Sequence, residues 1–266
     1  MKIAMYQDRP FLMINDQEGQ LVKNYHDVLS VIKAGPDRLV LGAPQEIEHR
    51  QLMAPIPQPR QIFAVGMNYL GHTQEIHAVA PTVPNVFTKF ASSLTGPTTT
   101  IQRHSEQTDW ETELVIVIGQ GGRDISETVA TQSIAGYMVG EDLSDRSVQF
   151  ANPQPQFSLG KSFENFAPTG PWLTTPDEIT DLKQLLITTK VNEATMQHEA
   201  LANLVFDGPK LISYLSSIVE LYPGDLIFTG TPEGTGVGHE PQVFLQAQDV
   251  VTASIDQLGS LRIDVA

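Results

Sequence analysis

Residues 109–119 read Asp-Trp-Glu-Thr-Glu-Leu-Val-Ile-Val-Ile-Gly, and Leu114–Ile118 is the longest unbroken apolar run of the chain. Aliphatic residues in that density, closed by Gly119, predict a buried strand over Glu113–Ile118. Glu111 and Glu113 run into it two residues apart. With Glu111 already extended, the period of two puts both carboxylates on one face. Two adjacent carboxylates repel, and one must hold a proton unless a cation neutralises them. A hard divalent cation with oxygen ligands meets that need, Mg²⁺ keeping waters or substrate oxygens in its other positions. A solvated strand edge is the plainer reading of the pair alone.

Outward from this segment, residues 136–146 (GYMVGEDLSDR) read as a strand, Gly136–Glu141, that ends in an acidic patch. Asp142 at the strand end could complete a three-carboxylate site. Asp145 could equally cap a following turn or helix. Arg146 carries a fixed fork of donors suited to a substrate carboxylate, or to a salt bridge with one of these acids. Upstream, Asn68–Glu75 follows a strand over Ile62–Val65. One helical turn there makes His72 and Glu75 neighbours at i, i+3. Glu75 could then orient the imidazole and leave its other nitrogen to activate water; a solvated surface pair is the alternative. The stretch from His77 to Pro84 has two prolines and little periodicity, and reads as a mobile lid.

The remaining pattern is α+β, mostly β. Residues 1–54 read as a small N-terminal subdomain, with strands at Lys2–Tyr6 and Phe11–Asn15 and a short helix over His26–Lys33. Pro55, Pro57 and Pro59 make residues 55–60 a semi-rigid linker, and residues 61–266 form the main domain. Further strands are expected at Leu185–Val191, Asp225–Thr229, Val250–Ile255 and Leu261–Val265, the last two as a hairpin. The best helix is Lys210–Leu221, with one apolar face.

The 266 residues include no cysteine, which excludes a disulfide framework, thiolate metal sites and a cysteine nucleophile. A charge of −15, from 16 basic and 31 acidic residues, disfavours nucleic acid and anionic membrane as partners. No signal-like or membrane-spanning apolar block is present, so a cytoplasmic protein is expected. Gly160-Lys161-Ser162 lacks the earlier glycine of a phosphate loop, since Pro155 stands there. Gly119–Asp124 partly matches a dinucleotide fingerprint, with Asp124 at the third glycine position, and gives an NAD-binding dehydrogenase as a remote rival. Residues 230–238 (GTPEGTGVG) read as a loop needing positive φ at several glycines, or as a substrate contact.

Six segments in order resemble the fumarylacetoacetate hydrolase family: 66–75 (GMNYLGHTQE), 86–97 (VFTKFASSLTGP), 109–114 (DWETEL), 136–146, 160–171 (GKSFENFAPTGP) and 222–236 (YPGDLIFTGTPEGTG). The resemblance covers about Gln61 to the C-terminus. It implies a mixed β-roll or sandwich, usually dimeric, with Glu111, Glu113 and Asp142 as ligands of Mg²⁺ or Mn²⁺. It also implies a His72–Glu75 dyad, a pocket lined by Arg146, Gln149 and Lys161, and a substrate contact from Thr231. Lys89 is a weaker candidate for the same wall. Glu141 replaces a common Asn and adds a carboxylate near the metal; Ser147 and Glu164 each replace a common Asp.

The function this implies is hydrolysis of a C–C bond in a small anionic 2-oxo or 1,3-diketo acid through a metal-stabilised enolate. His72 would activate water, while Lys161 and Arg146 hold substrate oxygens. Isomerase, tautomerase or decarboxylase chemistry on a 2-oxo diacid is the alternative at the same site, and a non-catalytic metal-binding module is the remote one.

Overall fold

In the computed structural model, which describes residues 1–75, 79 and 81–266, the decisive strand spans Thr112–Ile118 and every residue of it is buried. Its alternation explains the burial: Leu114, Ile116 and Ile118 enter one hydrophobic core, Val115 and Val117 another. The same parity puts Glu113 on the Val115 face and Thr112 on the Leu114 face. The strand pairs antiparallel with Ile134–Glu141 and with Leu226–Phe228.

These strands lie inside a large sheet ordered Leu41–Glu46, Glu18–Val22, Arg9–Asn15, Lys2–Tyr6, Ala167–Thr174, Ile134–Glu141, Thr112–Ile118, Leu226–Phe228, Ile62–Gly66, Asn85–Thr88. A second sheet runs Ala194–Ala200, Leu186–Val191, Val250–Ile255, Gly259–Val265, Thr98–Ile101. Ile187, Val251, Ala253, Leu261 and Ile263 pack from it into the core that takes Leu114 and Ile116. The fold is α+β, mostly β, with mixed strand directions, since Leu226–Phe228 runs parallel to Ile62–Gly66. Residues 1–54 form a meander with one short helix, Val28–Ala34, capped by the Asp27 side chain. Lys2 and Ile3 pair with Thr174 and Leu173, so the meander prolongs the large sheet.

The expected closing hairpin is present, its second strand beginning at Gly259, whose φ of 99° suits the turn. The best helix is present but spans Gly208–Ile218, entered through an Asp207 cap. It stops before Leu221 because the Leu221 backbone exchanges hydrogen bonds with Gly122. Ala167–Thr174, two places from the decisive strand, was not among the expected strands. Its two prolines and glycine depress β-propensity, and burial on both faces overrides them. The stretch expected as a lid, His77–Pro84, contains His77, Ala78 and Ala80, which lie outside the described residues.

Gly140 faces Glu113 across the strand pair. A Cβ there would lie 2.4 Å from Val115 Cγ2 and 2.7 Å from Phe228 Cε1. Gly140→Ala should therefore cost about 1–3 kcal/mol through overpacking, read as a lower urea midpoint; an unchanged midpoint contradicts this packing.

Candidate active site

The strand pair brings the expected acidic residues together. Thr112 faces Glu141 in register, and the Asp142 N–H donates to the Glu111 carbonyl at 2.8 Å, which fixes Asp142 beside the start of the neighbouring strand. Glu111, Glu113 and Asp142 are all buried and offer oxygens within 4.8 Å of one another.

Three cationic side chains close on two of these carboxylates. Lys161 Nζ donates to Glu111 Oε2 (2.7 Å), Asp142 Oδ2 (2.8 Å) and Ser144 Oγ (2.7 Å), using all three of its protons. Lys89 Nζ donates to Asp142 Oδ1 and to the Lys161 carbonyl. Arg146 donates through Nε and Nη2 to Asp109, through Nη2 to Glu111 at 2.7 Å, and through Nη1 to Gln149 Oε1. Burial alone would raise the Glu111 pKa, but the Lys161 and Arg146 charges overcome it and hold the carboxyl at about 2. Glu113 accepts only the Gly230 N–H, at 2.7 Å, and no cationic side chain among the described residues bridges it. Burial, then Asp142 and Glu111, push its pKa well above the usual carboxylate range. The donor set suits a hard divalent cation, which would release that proton.

Short helices deliver the cations. Asp145 takes the capping role expected of it: its side chain accepts the Val148 N–H at the start of the Arg146–Gln149 helix. Lys161 ends the Phe157–Gly160 helix, and a Cβ on Gly160 would meet the Asp145 carbonyl and Gln149 N at 2.9 Å. His72 and Glu75 lie on the Leu70–Glu75 helix, where His72 Nδ1 meets Glu75 Oε1 at 2.8 Å. Glu75 also accepts the Gly234 N–H and the Thr235 hydroxyl. Burial pushes the Glu75 pKa up, but hydrogen bonds from His72 and Gly234 leave it below its ordinary value. The dyad thus presents an ionised Glu75 to Nδ1 and leaves Nε2 for the cleft that His72 lines.

The glycine-rich loop needs its glycines for two reasons. Gly230 and Gly234 have positive φ, whereas a Cβ on Gly238 would strike the Glu75 carboxylate at 2.3–2.6 Å. Thr231 lines the cleft, but its hydroxyl proton goes to the Thr112 carbonyl. Asp109 was quoted in the decisive segment without a role. It joins Arg146 to this loop by accepting the Gly236 and Val237 N–H groups.

Glu141 departs from the expectation of an added carboxylate charge near a metal. It accepts the Glu111 N–H through Oε1, and Oε2 lies 2.8 Å from Thr112 Oγ1. The directions of the bonds fix its protonation. Gln197 accepts the Thr112 N–H and donates to the Pro232 carbonyl, so its amide has one orientation. Thr189 Oγ1, 2.6 Å from Gln197 Oε1, must donate there, and Thr112 Oγ1 must donate to Thr189. Glu141 Oε2 is left as the donor, hence a neutral acid. Burial, which pushes its pKa up to about 8, agrees. Gln197 sits on a polar hairpin strand, and nothing in its sequence setting marks it.

The family model described as fumarylacetoacetate (FAA) hydrolase C-terminal matches residues 61–266. The chain belongs to the fumarylacetoacetate hydrolase family. The match starts just after the three alternate prolines, Pro55, Pro57 and Pro59. Over 212 residues the chain is 43% identical to "Oxaloacetate tautomerase fahd2, mitochondrial" of Xenopus laevis, covering 79% of this chain and 66% of that one. The chain therefore spans about two thirds of that relative's length. It is 41% identical over 215 residues to the 2,4-didehydro-3-deoxy-L-rhamnonate hydrolase of Sphingomonas sp. (strain SKA58), covering 80% and 75%. Among solved structures, the fumarylacetoacetate hydrolase of Exiguobacterium antarcticum superposes with a TM-score of 0.85 at 31% identity, covering 99% and 98%. These relatives are enzymes that differ in reaction. The dinucleotide rival loses its geometry: the chain after Gly119 enters a 3₁₀ turn, Ala130–Ser133, and returns antiparallel, with no crossover helix. No helix among the described residues is long and apolar enough to cross a membrane.

The neutral Glu141 gives a sharp test. Glu141→Gln keeps one acceptor and one donor in place and should change stability by less than about 0.5 kcal/mol. Glu141→Leu orphans the Glu111 N–H and should cost about 1–3 kcal/mol in urea unfolding. Equal losses in the two variants contradict a protonated Glu141.

Proposed function

We propose that this chain is a divalent-metal-dependent enzyme that interconverts the keto and enol forms of a small 2-oxo acid of the oxaloacetate kind. The observation that carries the reading is a buried three-carboxylate cluster, one member without a cationic partner among the described residues, whose Glu111 lines a cleft shared with an oriented histidine. Enolisation is also the step common to a tautomerase and to a hydrolase of diketo acids, so it fits both kinds of relative.

A hard divalent cation, Mg²⁺ or Mn²⁺, held by Glu111, Glu113 and Asp142 would polarise the 2-oxo carbonyl and offset charge at its oxygen. His72, with Nδ1 held by Glu75, takes the C3 proton at Nε2 and returns it in the reverse direction. Lys161 and Arg146 hold the Glu111 carboxylate ionised and supply positive potential at the same wall. Gln149 binds Arg146 through Oε1, which leaves its amide N–H groups for a substrate carboxylate. Thr231 has a free lone pair and no free proton, so it accepts rather than donates.

Hydrolysis of a C–C bond in a 2,4-diketo acid is the second reading, favoured by the His72–Glu75 dyad, which is also what water activation requires. Either reaction brings an anion to a protein of charge −15, and the local cations make that entry feasible.

The test is the ultraviolet absorbance of enol-oxaloacetate, followed with chelated protein and again after Mg²⁺ or Mn²⁺ is added. Activity should vanish on chelation and return with the ion. Glu113→Gln should lose both ion binding and activity, while His72→Ala should keep the ion and lose about 10²–10⁴-fold in kcat. Full activity in His72→Ala removes the dyad from the mechanism. Turnover of a 2,4-diketo acid without tautomerisation of oxaloacetate puts hydrolysis first.

A further inference from the structure

We infer that the cleft also takes 2-oxo acids whose C3 carries a flat aryl tail, and enolises them at the same site. The inference rests on the enolisation reading and names a substrate class for it.

Three observations converge. The cleft has a volume of about 1000 Å³, at the upper end of what encloses a drug-sized ligand. A four-carbon diacid fills a small part of it. The wall next to the carboxylate cluster is aromatic: Phe87 and Phe157 stack with centroids 5.3 Å apart and planes 25° from parallel. Lys161 Nζ, which touches Glu111 and Asp142, lies 5.4 Å from the Phe87 centroid. A tail leaving the reacting carbon therefore meets an aromatic surface at once. Phe150 also lines the cleft and is 48% exposed, a large apolar group held in contact with solvent.

The charges point the same way. A second carboxylate needs a cation whose charge is free, and the three beside the site already face carboxylates: Lys161 donates all three of its protons, Lys89 donates to Asp142 and a carbonyl, and Arg146 faces Asp109 and Glu111. The described polar groups left on the lining are neutral amides, His239 and the acidic Glu240. Such a wall accepts an uncharged ring at less desolvation cost than an anion.

The step needs no co-reactant. A proton leaves C3 for His72 Nε2, the C2–C3 double bond forms as the carbonyl π bond opens, and the 2-oxo oxygen takes a proton from water while His72 returns the C3 proton to water. The enol is an isomer of the acid that entered.

The test uses the full chain loaded with Mg²⁺ and compares phenylpyruvate with oxaloacetate by enol absorbance. Phenylpyruvate should be tautomerised with a kcat/KM of the same order as oxaloacetate. In Phe157→Ala the ratio of the two kcat/KM values should fall about threefold to tenfold in favour of oxaloacetate, and Phe157→Tyr should restore it. Oxaloacetate turnover in the same sample reports that the variant is folded. Turnover of oxaloacetate without phenylpyruvate overturns the inference and spares the proposed function. So does an unchanged ratio in Phe157→Ala, or a diacid preference that His239→Leu abolishes, because His239 would then read a second carboxylate. Turnover of neither acid removes the tautomerase reading, and the inference with it.

Discussion

Four buried acidic side chains, Asp109, Glu111, Glu113 and Asp142, lie together with three buried cationic ones, Lys89, Arg146 and Lys161, at the wall of the cleft. Burying an ion is costly unless it is paired, and breaking such a pair costs more than it contributes when intact. The arrangement is therefore tightly constrained, and the unmatched group is Glu113. It must hold a proton or a bound cation. The strand register, the short helices that end in Lys161 and begin at Arg146, and the glycines that let backbone approach carboxylates all serve this one charge balance.

The same logic explains why the elements of the candidate site are linked. Asp109 ties Arg146 to the loop at Gly236 and Val237. That loop ties Glu75 through Gly234 and Thr235, and Glu75 orients His72. The histidine and the carboxylate cluster are thus parts of one hydrogen-bonded frame, although they lie on different elements. A rigid frame would serve the proposed enolisation, in which the base must meet the C3 proton at hydrogen-bond distance. The neutral Glu141 belongs to the same frame: it supports the Glu111 backbone without adding to the acidic excess.

Local sequence patterns carried much of this. The two-residue spacing of Glu111 and Glu113 on an apolar strand, Asp142 at the end of the next strand, and the i, i+3 relation of His72 and Glu75 were readable because each depends on a few adjacent residues. The Ala167–Thr174 strand was not, since its prolines and glycine speak against a strand until both faces are buried. Gln197 was not, because its partners Thr112, Thr189 and Pro232 come from distant segments. Glu141 was read as one more charge because sequence spacing cannot show a hydrogen-bond direction. The commitment of Lys161, Lys89 and Arg146 to carboxylates, which shapes the substrate inference, is likewise a property of the assembled site.

Glu113, buried and without a cationic side chain bridging it among the described residues, is where a proton and a divalent cation would compete. Calorimetric titration of Mn²⁺ into the metal-free protein at neutral pH, repeated in buffers of different ionisation enthalpy, counts the protons released. Binding should release about one proton per ion, and Glu113→Gln should abolish the release. Binding with no proton released, or release that persists in Glu113→Gln, would contradict it.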